Sequence, residues 1–155
     1  MCPPLPIIIN EWLLHDIRGD NGLPAQQRVE SFLETLRSGT ARIIVIKGSK
    51  WDIKAWGLWN YTDTNVRLLS KLLYLGVLID PLKCQYLNPD QVQALPQDLA
   101  EQVPLDDVYL FQTALAGGAQ RIITTDGRLI NLVSRATQHG IQLIARDVFY
   151  DELGL

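Results

Sequence analysis

Three short runs of β-branched residues constrain the fold of this chain more than any other feature of its sequence. They lie within residues 7–9, 43–46 and 121–125, and each is bounded by proline or by polar side chains. Runs of this length and composition are typical of strands that are buried on both faces. Such strands occur in parallel sheets that are covered by helices. The sequence therefore predicts a buried, mostly parallel sheet.

Amphipathic helices separate these strands. Apolar residues at spacings of three and four predict a helix over 24–38 that ends at Gly39 and a helical face over 68–75 that ends at Gly76. Further helices are predicted from Asp106–Asp107 to residue 115 or 116 and over 129–139. A short strand is predicted at 77–79 and a last strand at 141–144, followed by a tail over 146–155. The segment 81–104 is interpreted as a connection with one short helix near 89–95.

Strands that alternate with helices favour an α/β domain. With 155 residues, 47% of them hydrophobic, the chain has enough material for one core. We expect a single domain over 1–155, with three α/β/α layers and a central, mostly parallel sheet.

Charge and cysteine content exclude several classes of protein. The formal net charge is −3, which is unlike a globally basic nucleic-acid coat protein. Cys2 and Cys84 are too few for a disulfide scaffold or a zinc ribbon. The amino-terminal residues do not resemble a signal peptide, and no apolar run is long enough to span a membrane. The expectation is a soluble protein of the reducing cytoplasm.

Acidic and amide side chains follow the predicted strands. Asn10 and Glu11 follow the first strand, and Asp126 follows a later one, while Asp107 begins the helix before that strand. Ligands of parallel α/β sheets gather beyond the carboxyl ends of the strands. Oxygen ligands that converge there suit a hard cation such as Mg²⁺ or Mn²⁺.

The carboxyl half of the chain resembles the PIN domains. In that family an aspartate opens a helix that ends in Thr-Ala-Leu, and a hydrophobic strand then ends in Thr-x-Asp. Asp107 lies six residues before Thr113-Ala114-Leu115, and Thr124 and Asp126 match the second element. The resemblance implies a ribonuclease that depends on Mg²⁺ or Mn²⁺ and cleaves RNA by metal-activated water. It implies Asp107, Asp126 and Asn10 as catalytic and metal-binding residues, assisted by Asp106 or Glu11.

The chain departs from the family pattern at three places. Asn10 stands where the family has its first aspartate, Asp52 is the nearest stand-in for the second acid, and Gly127-Arg128 follows Asp126 where many relatives have another acid. The alternative is therefore a PIN-fold module without catalysis that binds RNA or another protein. A homodimer and an antitoxin-like partner, typical of many small relatives, are possible partners in this interpretation.

Residues 42–71 form a basic and aromatic stretch, with six basic residues against two acidic ones. Such a stretch is able to bind a phosphate backbone and to stack on bases. The predicted RNA contacts are Lys47, Lys50, Lys54, Trp51 and Arg128. In the alternative interpretation, the tryptophans of this stretch pack in the core or at a dimer interface.

The acidic residues also have structural alternatives. Asp106, Asp107 and Asn10 are suitable helix caps, and Asp126-Gly127 is a common turn pair.

Overall fold

The computed structural model describes residues 5–119 and 121–155, in which five parallel strands form one sheet. The strands are β1 (Leu5–Ile9), β2 (Ala41–Ile46), β3 (Cys84–Leu87), β4 (Arg121–Thr124) and β5 (Gln142–Ala145). Their order in the sheet is β3-β2-β1-β4-β5, and every neighbouring pair is parallel. The predicted fold class is confirmed.

Helices fill the connections between the strands. They are α1 (Trp12–Arg18), α2 (Leu23–Ser38), α3 (Lys50–Gly57), α4 (Thr64–Leu73), α5 (Gln97–Gln102), α6 (Val108–Gly117), α7 (Gly127–Ile130), α8 (Val133–Thr137) and α9 (Arg146–Glu152). Within the described part of the chain, no helix has the length and apolar character needed to cross a membrane.

Alternation along the strands builds a separate core on each face of the sheet. Ile7 and Ile9 of β1 pack on one face with residues of α1, α2, α3, α4 and α9, whereas Ile8 packs on the opposite face with residues of α5, α6, α7 and α8. Successive side chains of a strand point to opposite faces, so one apolar strand serves both cores. The result is the expected three-layer arrangement.

The region between α4 and β3 corrects two predictions. Val77 and Leu78, predicted as the start of a strand, belong instead to the π-helical turn Tyr74–Leu78 that continues α4. Strand β3 lies within the segment that was interpreted as a connection. Gly76 packs so closely on Arg37 of α2 that a Cβ there would lie 3.0 Å from Arg37 Cδ. A local sequence pattern does not predict this contact, because the two residues are distant in the sequence.

Two helix predictions also need correction, and the tail over 146–155, for which no helix is predicted, contains one. The short helix expected near 89–95 is a 3₁₀ turn at Pro89–Gln91, and a helix follows only at α5. The helix expected over 129–139 is split into α7 and α8, and the tail forms α9. Pro96 immediately before α5 accounts for the later start there, because proline lacks a backbone N–H and fits the beginning of a helix.

The strand order sets where a ligand can bind. Along the chain the sheet grows from β1 to β2 and β3 on one side, and then from β1 to β4 and β5 on the other. The direction of winding reverses between β1 and β4. In doubly wound sheets this switch point leaves a crevice outside the carboxyl ends of the two strands.

Candidate active site

A cleft of about 360 Å³ lies at this switch point. Its walls include Asn10 and Glu11 after β1, Asp126 after β4, and Asp107 before α6. Lys50 of α3 and His15 of α1 also line the cleft. Four of the five predicted metal-site residues therefore line one cleft. Asp106 instead lines a neighbouring groove.

Asn10 ties the ends of β1 and β4 together. Its Nδ2 donates to Thr124 Oγ1 at 3.1 Å, and its backbone N–H donates to the Ile123 carbonyl at 3.0 Å. Thr124 Oγ1 also accepts from the Asp126 backbone N–H at 3.0 Å. Asn10 Oδ1 accepts from the Glu11 N–H at 2.7 Å and keeps a second lone pair. The side chain thus positions Asp126 and offers one oxygen to a ligand.

Asp107 is the most buried carboxylate of the cleft. It ends the 3₁₀ turn Leu105–Asp107 ahead of α6 and is only 7% exposed. Its side chain makes no capping hydrogen bond to α6, and among the described residues its buried Oδ2 has no hydrogen-bond partner. Burial, and next the negative charge of Asp126, raise the pKa of Asp107. Such an oxygen is poorly satisfied without a cation.

Asp126 is well satisfied. It caps α7 by accepting the Arg128 backbone N–H at 2.9 Å, which agrees with the turn and cap alternative. Arg128 also pairs with both carboxylate oxygens through Nε at 3.2 Å and Nη2 at 2.9 Å. The hydrogen bond from Arg128 holds the pKa of Asp126 below its usual range. The same Nη2 lies 3.8 Å from Asp107 Oδ2, so this 70% exposed side chain bridges the two acids.

Glu11 faces two lysines of α3. Lys54 Nζ lies 3.0 Å from its Oε2, and Lys50 Nζ lies 3.3 Å from its Oε1. Burial alone would raise the pKa of Glu11, but the two lysines lower it below the usual value. Glu11 therefore stays ionised and balances the lysines.

The predicted RNA contacts separate into exposed and buried residues. Lys47, Lys50, Lys54 and Arg128 are exposed at the carboxyl edge of the sheet. Trp51 is a correction: it is 3% exposed, packs in the core, and donates its Nε1–H to the Asn10 carbonyl at 3.4 Å. A base cannot stack on a ring that core side chains cover.

His15 lines the cleft, although sequence reasoning gave it no role. Its Nε2 lies 3.9 Å from Glu11 Oε2, and its Nδ1 lies 2.9 Å from Asp20 Oδ2. The sequence spacing indicates this contact: Glu11 stands four residues before His15, and residues four apart share a helix face.

The residues of the cleft fit a hard cation in part. Within residues 5–119 and 121–155, no group of three or more His, Cys, Asp or Glu side chains is arranged to hold a metal. Two carboxylates, one of them with an unsatisfied buried oxygen, and one amide oxygen remain. Mg²⁺ commonly takes one or two carboxylates and completes its shell with water and substrate phosphates. The donor set therefore suits a weakly held ion that a phosphate helps to bind.

The fold and cleft define the class of protein as a doubly wound α/β protein with an acidic site at its switch point. Comparisons with protein-family models, with curated proteins and with solved structures found no match to this chain.

Proposed function

We propose that this protein is a metal-dependent ribonuclease of the PIN type. The observation that carries the proposal is the buried Oδ2 of Asp107 near Asp126, at the switch point of a parallel sheet; among the described residues this oxygen has no hydrogen-bond partner, and its ion-pair contact with Arg128 is 3.8 Å long. A buried carboxylate without a donor is costly unless a ligand satisfies it. A hard cation at a strand-end crevice is the ligand that fits its chemistry.

In this proposal Asp107 and Asp126 would hold Mg²⁺ or Mn²⁺, and Asn10 would contribute its amide oxygen. When bound there, such an ion would supply an activated water and charge stabilisation for the phosphodiester. Arg128 moves from Asp126 to the phosphate, which its high exposure permits. Lys50 binds the neighbouring backbone, and Asn10 keeps Asp126 in position through Thr124. Glu11 assists by orienting the lysines.

The test is cleavage of a 5′-labelled pool of single-stranded RNA by purified protein in Mn²⁺, in Mg²⁺ and in EDTA. The wild type is compared with the Asp107→Asn/Asp126→Asn double variant. The control is Asp151→Asn, the same chemical change on exposed α9, away from the cleft. We expect metal-dependent cleavage by the wild type and the control and none by the double variant. Cleavage that survives in the double variant identifies a contaminating nuclease and overturns the assignment.

The second candidate function is a PIN-fold module without catalysis that binds RNA or another protein, such as a second copy or an antitoxin-like partner. The specific observation in its favour is the pairing of cleft acids with Arg128, Lys50 and Lys54. In this function the basic side chains neutralise the cleft acids in place of a metal ion. If the wild-type protein binds RNA in a filter-binding assay but cleaves none of it in Mn²⁺ or Mg²⁺, the result supports this function. A cytoplasmic location belongs to both proposals.

A further inference from the structure

A second groove, of about 480 Å³, opens beside the acidic cleft. Its lining includes Lys47 and Lys50 from the segment after β2, Leu105, Asp106 and Gln112 from the segment around α6, and Val92. Its volume falls within the range of small-molecule sites. None of these residues except Lys50 lines the cleft itself.

Lys50 joins the groove to the cleft. Its Nζ lies 3.3 Å from Glu11 Oε1 in the cleft and donates to the Asp106 carbonyl at 3.2 Å on the groove side. The same ammonium lies 5.5 Å from the centre of the Tyr109 ring. A linear polyanion that crosses Lys50 would therefore enter both spaces.

The groove combines an apolar wall with cations. Leu105 is 90% exposed and directly precedes the two aspartates, and Pro89 and Val92 add apolar surface. Lys47, also exposed, provides a second positive charge at the end of β2. A groove lined by apolar side chains and two lysines is complementary to a nucleotide, whose base is a flat apolar surface and whose phosphate is anionic.

Besides the lysines, the groove is lined by two side chains that offer acceptor oxygens, Gln112 and Asp106. Gln112 uses its Nε2 to donate to the Gln93 carbonyl at 3.1 Å, and its Oε1 is an acceptor. Asp106 is exposed. Acceptors of this kind bind exocyclic amino groups, which adenine, cytosine and guanine carry and uracil lacks.

We propose that this groove binds one nucleotide of single-stranded RNA beside the phosphodiester at the cleft, and that it prefers an amino-bearing base to uracil. The position relative to a cleaved bond rests on the proposed ribonuclease function. The binding itself does not.

The test measures binding of fluorescein-labelled oligoadenylate, oligocytidylate and oligouridylate of eight nucleotides by anisotropy in EDTA, where metal-dependent cleavage is absent. Leu105→Ala removes the apolar wall and is expected to weaken oligoadenylate binding about tenfold. The matched control is Leu82→Ala, which truncates a leucine that is 71% exposed just before the amino end of β3. This control is expected to bind like the wild type.

Two further variants test the base and the phosphate separately. Gln112→Leu keeps the side-chain volume and is expected to reduce the preference for oligoadenylate over oligouridylate. Lys47→Gln is expected to weaken all three oligonucleotides alike and to lower the salt slope by about one. Circular dichroism establishes that each variant is folded.

The outcomes separate this inference from the ribonuclease. Loss of binding in Leu105→Ala with no cleavage by the wild type supports the groove and overturns the ribonuclease. Cleavage by the wild type with unchanged binding in Leu105→Ala overturns the groove alone. A wild type that binds none of the oligonucleotides also overturns the groove, and equal binding of all three overturns the preference for amino-bearing bases.

Discussion

Replacing Asp107 by Asn is expected to stabilise the metal-free protein at neutral pH. The carboxylate is 7% exposed, and its Oδ2 has no hydrogen-bond partner among the described residues. Burial and the charge of Asp126 raise its pKa. An acid whose pKa rises on folding binds its proton more tightly in the folded state, so its ionisation lowers the free energy of unfolding. A neutral amide of the same shape removes that penalty.

The magnitude follows from the burial. A buried polar group without a partner costs about 1–3 kcal/mol, and the new amide still has to find its own partners. We therefore expect a gain of about 1–2 kcal/mol, typical of single stabilising changes. For a chain of this size the gain raises the melting temperature by about 2–8 °C. The gain grows as the pH rises from the unfolded-state pKa, about 3.9, through the raised pKa of the folded protein.

The assay is thermal unfolding followed by circular dichroism between pH 4 and pH 8 in EDTA. The Asp106→Asn control changes an exposed neighbour and is expected to stay within about 0.5 kcal/mol of the wild type. Saturating Mn²⁺ at pH 7 is expected to raise the melting temperature of the wild type but not that of Asp107→Asn. If Asp107→Asn in EDTA at pH 7 melts at or below the wild-type temperature, the reasoning is refuted, because the Asp107 carboxylate would then carry no net cost in the metal-free protein.

Three further predictions concern other charged and buried groups. Arg128→Gln removes the cation that pairs with Asp107 and Asp126. The Mn²⁺ concentration that gives half of the maximal rise in melting temperature should therefore fall about threefold, and an unchanged concentration would contradict this. Arg146→Met leaves the Asp16 carboxylate, 1% exposed and 2.9 Å from Arg146, without its cation; urea denaturation should show a loss of about 3–5 kcal/mol, and a loss below about 1 kcal/mol would contradict the pairing. Burial raises the pKa of the Cys84 thiol to about 12, so in a Cys2→Ser variant Ellman's reagent at pH 8 should react only after unfolding, and prompt reaction of the folded protein would contradict it.

The strands that could be predicted from the sequence are those with a continuous run of apolar, β-branched residues. The isoleucine runs of β1 and β2 are buried on both faces, so their composition is sufficient. Strand β3, at the edge of the sheet beside β2, escaped prediction because its sequence has no continuous apolar run. Its Gln85 and Tyr86 are partly exposed, which interrupts the apolar run. The π-helical turn at Tyr74–Leu78 depends on packing against α2, which a local pattern does not contain.

The acids of the cleft were predictable for a geometric reason. Parallel strands bring their carboxyl ends to one edge, so Asn10 and Asp126 were expected at the same edge; the pairing of β1 with β4 then brings them close together. Their ionic partners were not predictable. Lys54 reaches Glu11 across 43 positions of sequence, and only the tertiary packing of α3 on the core brings them together. The same packing buries Trp51, whose spacing alone allowed either a core or a surface position.

If the cleft binds metal and RNA as proposed, the balance of its charges couples the two binding events. Glu11, Asp107 and Asp126 face Lys50, Lys54 and Arg128, so the formal charges of these six groups cancel. An RNA phosphate that attracts Lys50 and Arg128 leaves the carboxylates more negative and strengthens their attraction for a cation. Linkage requires that the metal tighten RNA binding by the same factor. Mn²⁺ titrations with and without a phosphorothioate RNA are expected to differ in affinity about fivefold or more, since site-to-site couplings are typically about 1–3 kcal/mol. Equal Mn²⁺ affinities would mean that the acids and the phosphate do not share these cations.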